Sequence, residues 1–87
     1  MDYFYNDGNM QVLIEQQAKH LSDDIVDQLV AYRKKLKMTQ QDVADATGIK
    51  RANIARIEGK KYAASLESLM KYAQCMNLKL TLQLEEA

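Results

Sequence analysis

The chain has no proline and no tryptophan, and its 87 residues include only three glycines, one cysteine, one histidine and one phenylalanine. A lone cysteine cannot close an internal disulfide. With a single histidine beside it, it cannot complete the roughly four-ligand shell of a structural zinc site, so neither metal nor cofactor is expected. No apolar run approaches the ~20 residues that a bilayer crossing demands. The opening MDYFYNDGNM has neither the basic nor the apolar region of a secretion signal, so a cytoplasmic chain with no membrane partner is expected. Net charge is also absent, since 12 Lys and Arg balance 12 Asp and Glu. The composition, 47% hydrophobic and 28% charged, excludes collagen-like and wholly disordered chains. At this length a single thin core forms, burying roughly 60–65% of the unfolded surface.

The zero total hides a strong asymmetry. Between Val30 and Tyr62 nine basic residues (Arg33, Lys34, Lys35, Lys37, Lys50, Arg51, Arg56, Lys60, Lys61) face only Asp42, Asp45 and Glu58, so this stretch carries +6 and the rest −6. A basic centre between acidic flanks is what a polyanion partner requires, although a solvated helix face would have the same charge.

Apolar spacing places a helix over 9–21, with Met10, Leu13, Ile14, Ala18 and Leu21 on one face. Ser22 reads as the N-cap of a second helix ending near Lys37, with Ile25, Leu29, Tyr32 and Leu36 as its buried stripe. Thr39 caps a short helix over Gln40–Thr47 that turns Val43, Ala44 and Thr47 inward, and Gly48 ends it in the left-handed conformation. Ile49 plugs the core. Lys50–Glu58 forms another short helix with Ile54 and Ile57 inward, closed by Gly59. Ser65 caps a last helix whose apolar set is Leu66, Leu69, Met70, Ala73 and Met76, with Asn77 at its end. The alternation Leu78-Lys79-Leu80-Thr81-Leu82-Gln83-Leu84-Glu85 is that of a half-buried strand. Its only internal partner would be the short Asp2–Tyr5 segment, so pairing with the same strand of a second copy is expected, packing on its own monomer being the alternative. Three segments result: 1–22, an N-terminal tail and extra helix; 23–77, the central domain; and 78–87, the dimerisation strand.

Two short helices joined by a glycine turn, the second basic on its exposed side, can place that second helix in a DNA major groove about 12 Å wide. Over Ile25–Met76 the chain resembles the Cro/C1 (XRE) family of helix-turn-helix regulators. The Thr39-Gln40 start, the Val43-Ala44 pair, Gly48-Ile49 at the turn and the Ile54-x-x-Ile57-Glu58-Gly59 ending carry the resemblance. It departs from the family where Gly59 follows Glu58 without an intervening residue, and at Lys50, where a Ser or Thr cap is common. The resemblance implies an all-α, lambda-repressor-like five-helix bundle that binds double-stranded DNA. By position it places Lys50, Arg51, Ala52, Asn53 and Arg56 at base edges and Thr39, Gln40, Lys60 and Lys61 at phosphates. Phosphate contact without base discrimination is the alternative for Arg51 and Arg56. Arg33 and Glu58 are implied to pair inside the fold. Leu78, Leu80, Leu82 and Leu84 would join a homodimer.

The expected function is a sequence-specific regulator, a repressor on a palindromic operator. A type II antitoxin of HipB-like or HigA-like kind, binding a toxin as well as DNA, is the nearest alternative, and a protein-binding adaptor without DNA a more distant one. Cys75 and His20 read as a packed thiol and a surface side chain. No catalytic set is assembled by spacing, and no enzyme is expected.

Overall fold

The computed structural model describes residues 8–86, and four helices lie among them: α1 (Gly8–Lys35), α2 (Gln40–Thr47), α3 (Arg51–Glu58) and α4 (Leu66–Gln74). No helix among the described residues is long and apolar enough to cross a membrane. The expected helices over 9–21 and from Ser22 onward are one continuous helix of 28 residues. Ser22 permits a helix start, but no glycine or proline between Asn9 and Thr47 compels a stop, and the apolar spacing runs through Ser22 in phase. Ser22 is buried in mid-helix, where its Oγ accepts a hydrogen bond from the Ala64 backbone N–H at 3.2 Å. The boundary expected after residue 22 therefore falls inside α1, and the helix count is four among the described residues, not five.

Among the described residues the central core cluster takes its α1 members from the second half of the helix, while Met10 near the start is buried as well. Val26 and Leu29 are buried and Val30 packs beside them, whereas Tyr32 and Leu36, expected in the stripe, are exposed and Ile25 is half-buried. The helix is rotated so that Arg33 faces inward with Val26 and Leu29. It ends at Lys35 in a left-handed residue, Lys37 (φ 58°), with Met38 N–H bonding Arg33 C=O and Lys37 N–H bonding Lys34 C=O.

Local chemistry sets the next two helices. At the start of α2 the Thr39 hydroxyl accepts from Asp42 N–H, and the Asp42 carboxylate accepts from Thr39 N–H at 2.7 Å, a reciprocal box that satisfies two otherwise orphan donors. Gly48 takes φ 77° at its end. The Thr47 hydroxyl donates back to Val43 C=O at 2.7 Å and accepts from Ile49 N–H at 3.1 Å, clamping the turn. Lys50 precedes α3 without any side-chain cap. Gly59 at the other end is right-handed (φ −70°), and the left-handed residue is Lys60 (φ 57°).

Ser65 caps α4 by accepting from Ser68 N–H. Leu69, Ala73 and Met76 are buried, but Leu66 and Met70 are exposed and Tyr72, absent from the expected set, is fully buried. Asn77 (φ 59°) terminates that end, with Leu78 N–H reaching Ala73 C=O. The core is Val26, Leu29, Val43, Ala44, Ile54, Ile57, Leu69, Tyr72, Ala73 and Met76, drawn from all four helices and the turn after α4.

The strand expected at 78–85 is not formed among the described residues: 78–86 holds neither helix nor strand. A strand needs a paired edge, and no described segment offers one. Leu78 and Leu80 instead pack against the core, while Leu82 and Leu84 stand in solvent. The Asp2–Tyr5 candidate lies outside the described residues.

Candidate nucleic-acid interface

α3 is amphipathic over barely two turns. Ile54 and Ile57 are buried in the core, which leaves Arg51, Ala52, Asn53, Ala55 and Arg56 exposed. Lys50, Arg51, Ala52 and Asn53 therefore lie together at the exposed N-terminal end of α3, and Arg56 one turn further on. The first turn holds no acidic residue that would repel an approaching anion.

The orientation of α3 is held by its last residue. Arg33 meets Glu58 as a fork, Nε to Oε2 and Nη2 to Oε1, both at 2.9 Å, with both side chains about nine-tenths buried (11% and 10% exposed). The third guanidinium nitrogen, Nη1, donates to Met38 C=O at 2.9 Å. Glu58 receives two further donors, Gln40 Nε2 on Oε1 at 3.1 Å and the Tyr72 hydroxyl on Oε2 at 2.7 Å. One carboxylate thus joins the end of α3 to α1, to the start of α2 and to α4. Burial alone would raise the Glu58 pKa, but the donors outweigh it and hold the carboxyl below its ordinary value. The bond from Arg33 to Glu58 raises the guanidinium in turn. The Tyr72 hydroxyl is pushed well up, by burial first and then by its bond to Glu58.

The residues expected at phosphates are distributed differently. Gln40 turns its amide inward to Glu58 and is half-buried. The Thr39 hydroxyl is engaged in its cap. Lys60 forms an ion pair with Asp27 of α1 at 2.7 Å, which leaves Lys61 as the exposed cation of the loop after α3. Sequence reasoning missed Tyr62, whose ring lies 5.2 Å from the Arg56 guanidinium, measured to the ring centroid. A basic helix followed closely by an exposed aromatic was the available signal.

Elsewhere, the half-buried Cys75 thiol donates to Tyr72 C=O at 3.0 Å, and burial raises its pKa, which disfavours the reactive thiolate. His20 is exposed, 3.7 Å from Asp24. Among the described residues no group of three metal-binding side chains occurs.

Comparison with known proteins agrees with this arrangement. A family model described as helix-turn-helix (HTH_3) matches residues 29–83, well over half of the chain. No curated protein and no solved structure matches.

Proposed function

The chain belongs to the Cro/C1-type helix-turn-helix family of DNA-binding regulators, and from that membership we propose that it is a sequence-specific repressor that binds a palindromic operator as a homodimer. The observation that carries the reading is the exposed cationic side of α3, fixed on its opposite side by Ile54, Ile57 and the Glu58 bonds. Of the five residues expected at base edges, Lys50, Arg51, Ala52 and Asn53 at the head of α3 read them, while Arg56 is drawn aside to the Tyr62 ring. Arg51 has the fork that bonds guanine O6 and N7, Asn53 can serve adenine, Ala52 can touch a thymine methyl, and Lys50 supplies a point charge. Thr39, Gln40, Lys60 and Lys61 lie toward the sugar–phosphate backbone, with Lys61 the strongest contributor because Gln40 and Lys60 already have protein partners.

One α3 reads few base pairs, and a two-fold pair doubles them while selecting two-fold symmetric DNA. Leu82 and Leu84, exposed beyond the core, supply the apolar surface for that pairing. The test is selection of bound sequences from a random duplex pool. An inverted repeat with half-sites about 10 bp apart is the expected result. Enrichment of an asymmetric sequence, or of none, overturns the reading.

A second reading is favoured by the first half of α1, where Val12, Leu13, Ile14 and Leu21 are each about half or more exposed. Such a surface suits a protein partner, as in an antitoxin that binds a toxin as well as its operator. Purification of the protein from its native source decides this: a stoichiometric second chain supports the antitoxin, and its absence leaves the plain repressor.

A further inference from the structure

Arg56 is one turn beyond the residues at the head of α3, and among the described residues it is the only basic side chain of that helix held by a neighbour's ring. Its guanidinium lies over Tyr62, in the loop after α3, and not toward the helix start. That loop is tied down at two points. Ala64 N–H bonds the buried Ser22 Oγ, and Lys60 pairs with Asp27, so both flanks of Tyr62 are anchored to α1. Between the loop and the end of α3 lies a cleft of about 290 Å³ lined by Ala55, Arg56, Gly59, Lys61 and Tyr62. Two of its five residues are cations, none is acidic, and Gly59 brings backbone without a side chain.

We propose that this cleft is a phosphodiester site, in which Arg56 and Lys61 clasp a backbone phosphate of the duplex and Tyr62 positions Arg56; the assignment rests on the DNA-binding reading given above. A guanidinium stacked on a ring spends only its face, leaving the in-plane N–H fork free to donate to two phosphate oxygens. A base edge offers partial charges, whereas a phosphate carries a full one, and only the latter rewards a second cation in the same cleft. Along α3 the five residue steps from Arg51 to Arg56 also span about 7.5 Å, so a side chain held against the loop beyond the helix end is directed toward a groove wall instead of its floor. Base reading is thereby confined to the Lys50–Asn53 end. Tyr62 is a positioning residue: it acts through the guanidinium that it supports.

The experiment uses the full chain and the best duplex from the random pool, with four variants: Arg56→Ala, Tyr62→Leu, Tyr62→Phe and the Arg56→Ala/Tyr62→Leu double. Thermal unfolding of each verifies the fold. Arg56→Ala is expected to lower affinity for all duplexes alike, to reduce the slope of log K against log salt by about 0.9, and to leave the selected base preference unchanged. Tyr62→Leu should weaken binding about 2–5-fold in the parent and not at all in the Arg56→Ala background, while Tyr62→Phe, which keeps the ring, should restore parental binding. A base preference relaxed at one position by Arg56→Ala overturns the phosphate assignment. An equal loss from Tyr62→Leu in both backgrounds overturns the positioning role. If no duplex is enriched, the site and the DNA-binding reading beneath it fall together; enrichment with a changed base preference removes the site alone.

Discussion

Tyr72 of α4 donates its phenolic hydrogen to the same carboxylate, that of Glu58, that receives the Arg33 fork, at 2.7 Å. The ring is fully buried in the core, so one residue both packs the centre and satisfies the charge at the end of α3. A buried ion pair is costly to form, because desolvation opposes the Coulombic gain, and extra hydrogen bonds to the remaining lone pairs reverse the balance. With two bonds to Arg33, one from Gln40 and one from Tyr72, both carboxylate oxygens are satisfied, and no buried side-chain polar atom among the described residues is without a partner.

Removing the hydroxyl alone isolates its contribution. Tyr72→Phe keeps the ring and deletes one bond to a charged acceptor, with an expected cost of about 1.5–3 kcal/mol. Glu58→Ala strands the Arg33 charge and should cost about 3–5 kcal/mol, a large share of the 5–15 kcal/mol that holds such a domain folded. Urea unfolding at neutral pH measures both, and equal losses for the two variants would show that Tyr72, not the ion pair, carries the effect.

The same cluster sets the pH limits of the fold. The folded Glu58 carboxyl lies below the ordinary 4.5, so the unfolded chain takes up the proton first. Its stabilisation is complete above about pH 4.5 and is lost as pH falls through the depressed folded value. For Tyr72 the folded value is raised above the ordinary 10.0, so its contribution is complete below about pH 10 and lost as pH rises further. Unfolding midpoints measured from pH 3 to 11 should fall at both ends. Tyr72→Phe should remove that phenol's share of the alkaline fall and move the acid fall to higher pH, because Glu58 then keeps fewer donors.

What could be read from sequence divides along the reach of the interactions. Thr39 with Asp42, Gly48, and Ser65 with Ser68 act within three residues, so α2, its turn and the start of α4 follow from local chemistry. Arg33 and Glu58 are 25 residues apart and suggest each other only by charge and resemblance; the Gln40 and Tyr72 donors that complete the cluster carry no such signal. Lys60 meets Asp27 across 33 residues, so a cation expected at phosphate is found on protein. Periodicity puts Tyr32 in a buried stripe and leaves Tyr72 out of one, and tertiary packing reverses both, exposing the first and burying the second. The leucine alternation at 78–84 describes a strand whose pairing edge is not among the described residues.

The glycine in the turn of the helix-turn-helix and the glycine that closes it should respond oppositely to substitution. Gly48 has open space around an added Cβ but a φ of 77°, so Gly48→Ala costs only backbone strain, about 1–2 kcal/mol. Gly59 is at φ −70°, where an added Cβ would lie 3.4 Å from Ala55 O, an ordinary contact. Gly59→Ala should be neutral or stabilise by about 0.4–1 kcal/mol through the unfolded chain. Thermal midpoints of the two variants moving in the same direction would contradict these backbone conformations.

Ser22 distinguishes a helix cap from a tertiary tether. As a cap it would tolerate aspartate, which serves at least as well in that position. As the buried partner of Ala64 N–H, it would not, because a carboxylate at a site only 7% exposed loses its water and gains a single backbone donor. Ser22→Asp should therefore destabilise by about 2 kcal/mol or more, and Ser22→Ala by about 1 kcal/mol, since the half-buried Ala64 amide can recover part of its bond from water. Amide exchange at Ala64 should quicken in Ser22→Ala, while exchange at Val43 and Ile54 in the core keeps its parental rate relative to global unfolding. Parental stability in Ser22→Asp would restore the reading of two helices with a cap between them, and with it a loop free to carry Tyr62 away from Arg56.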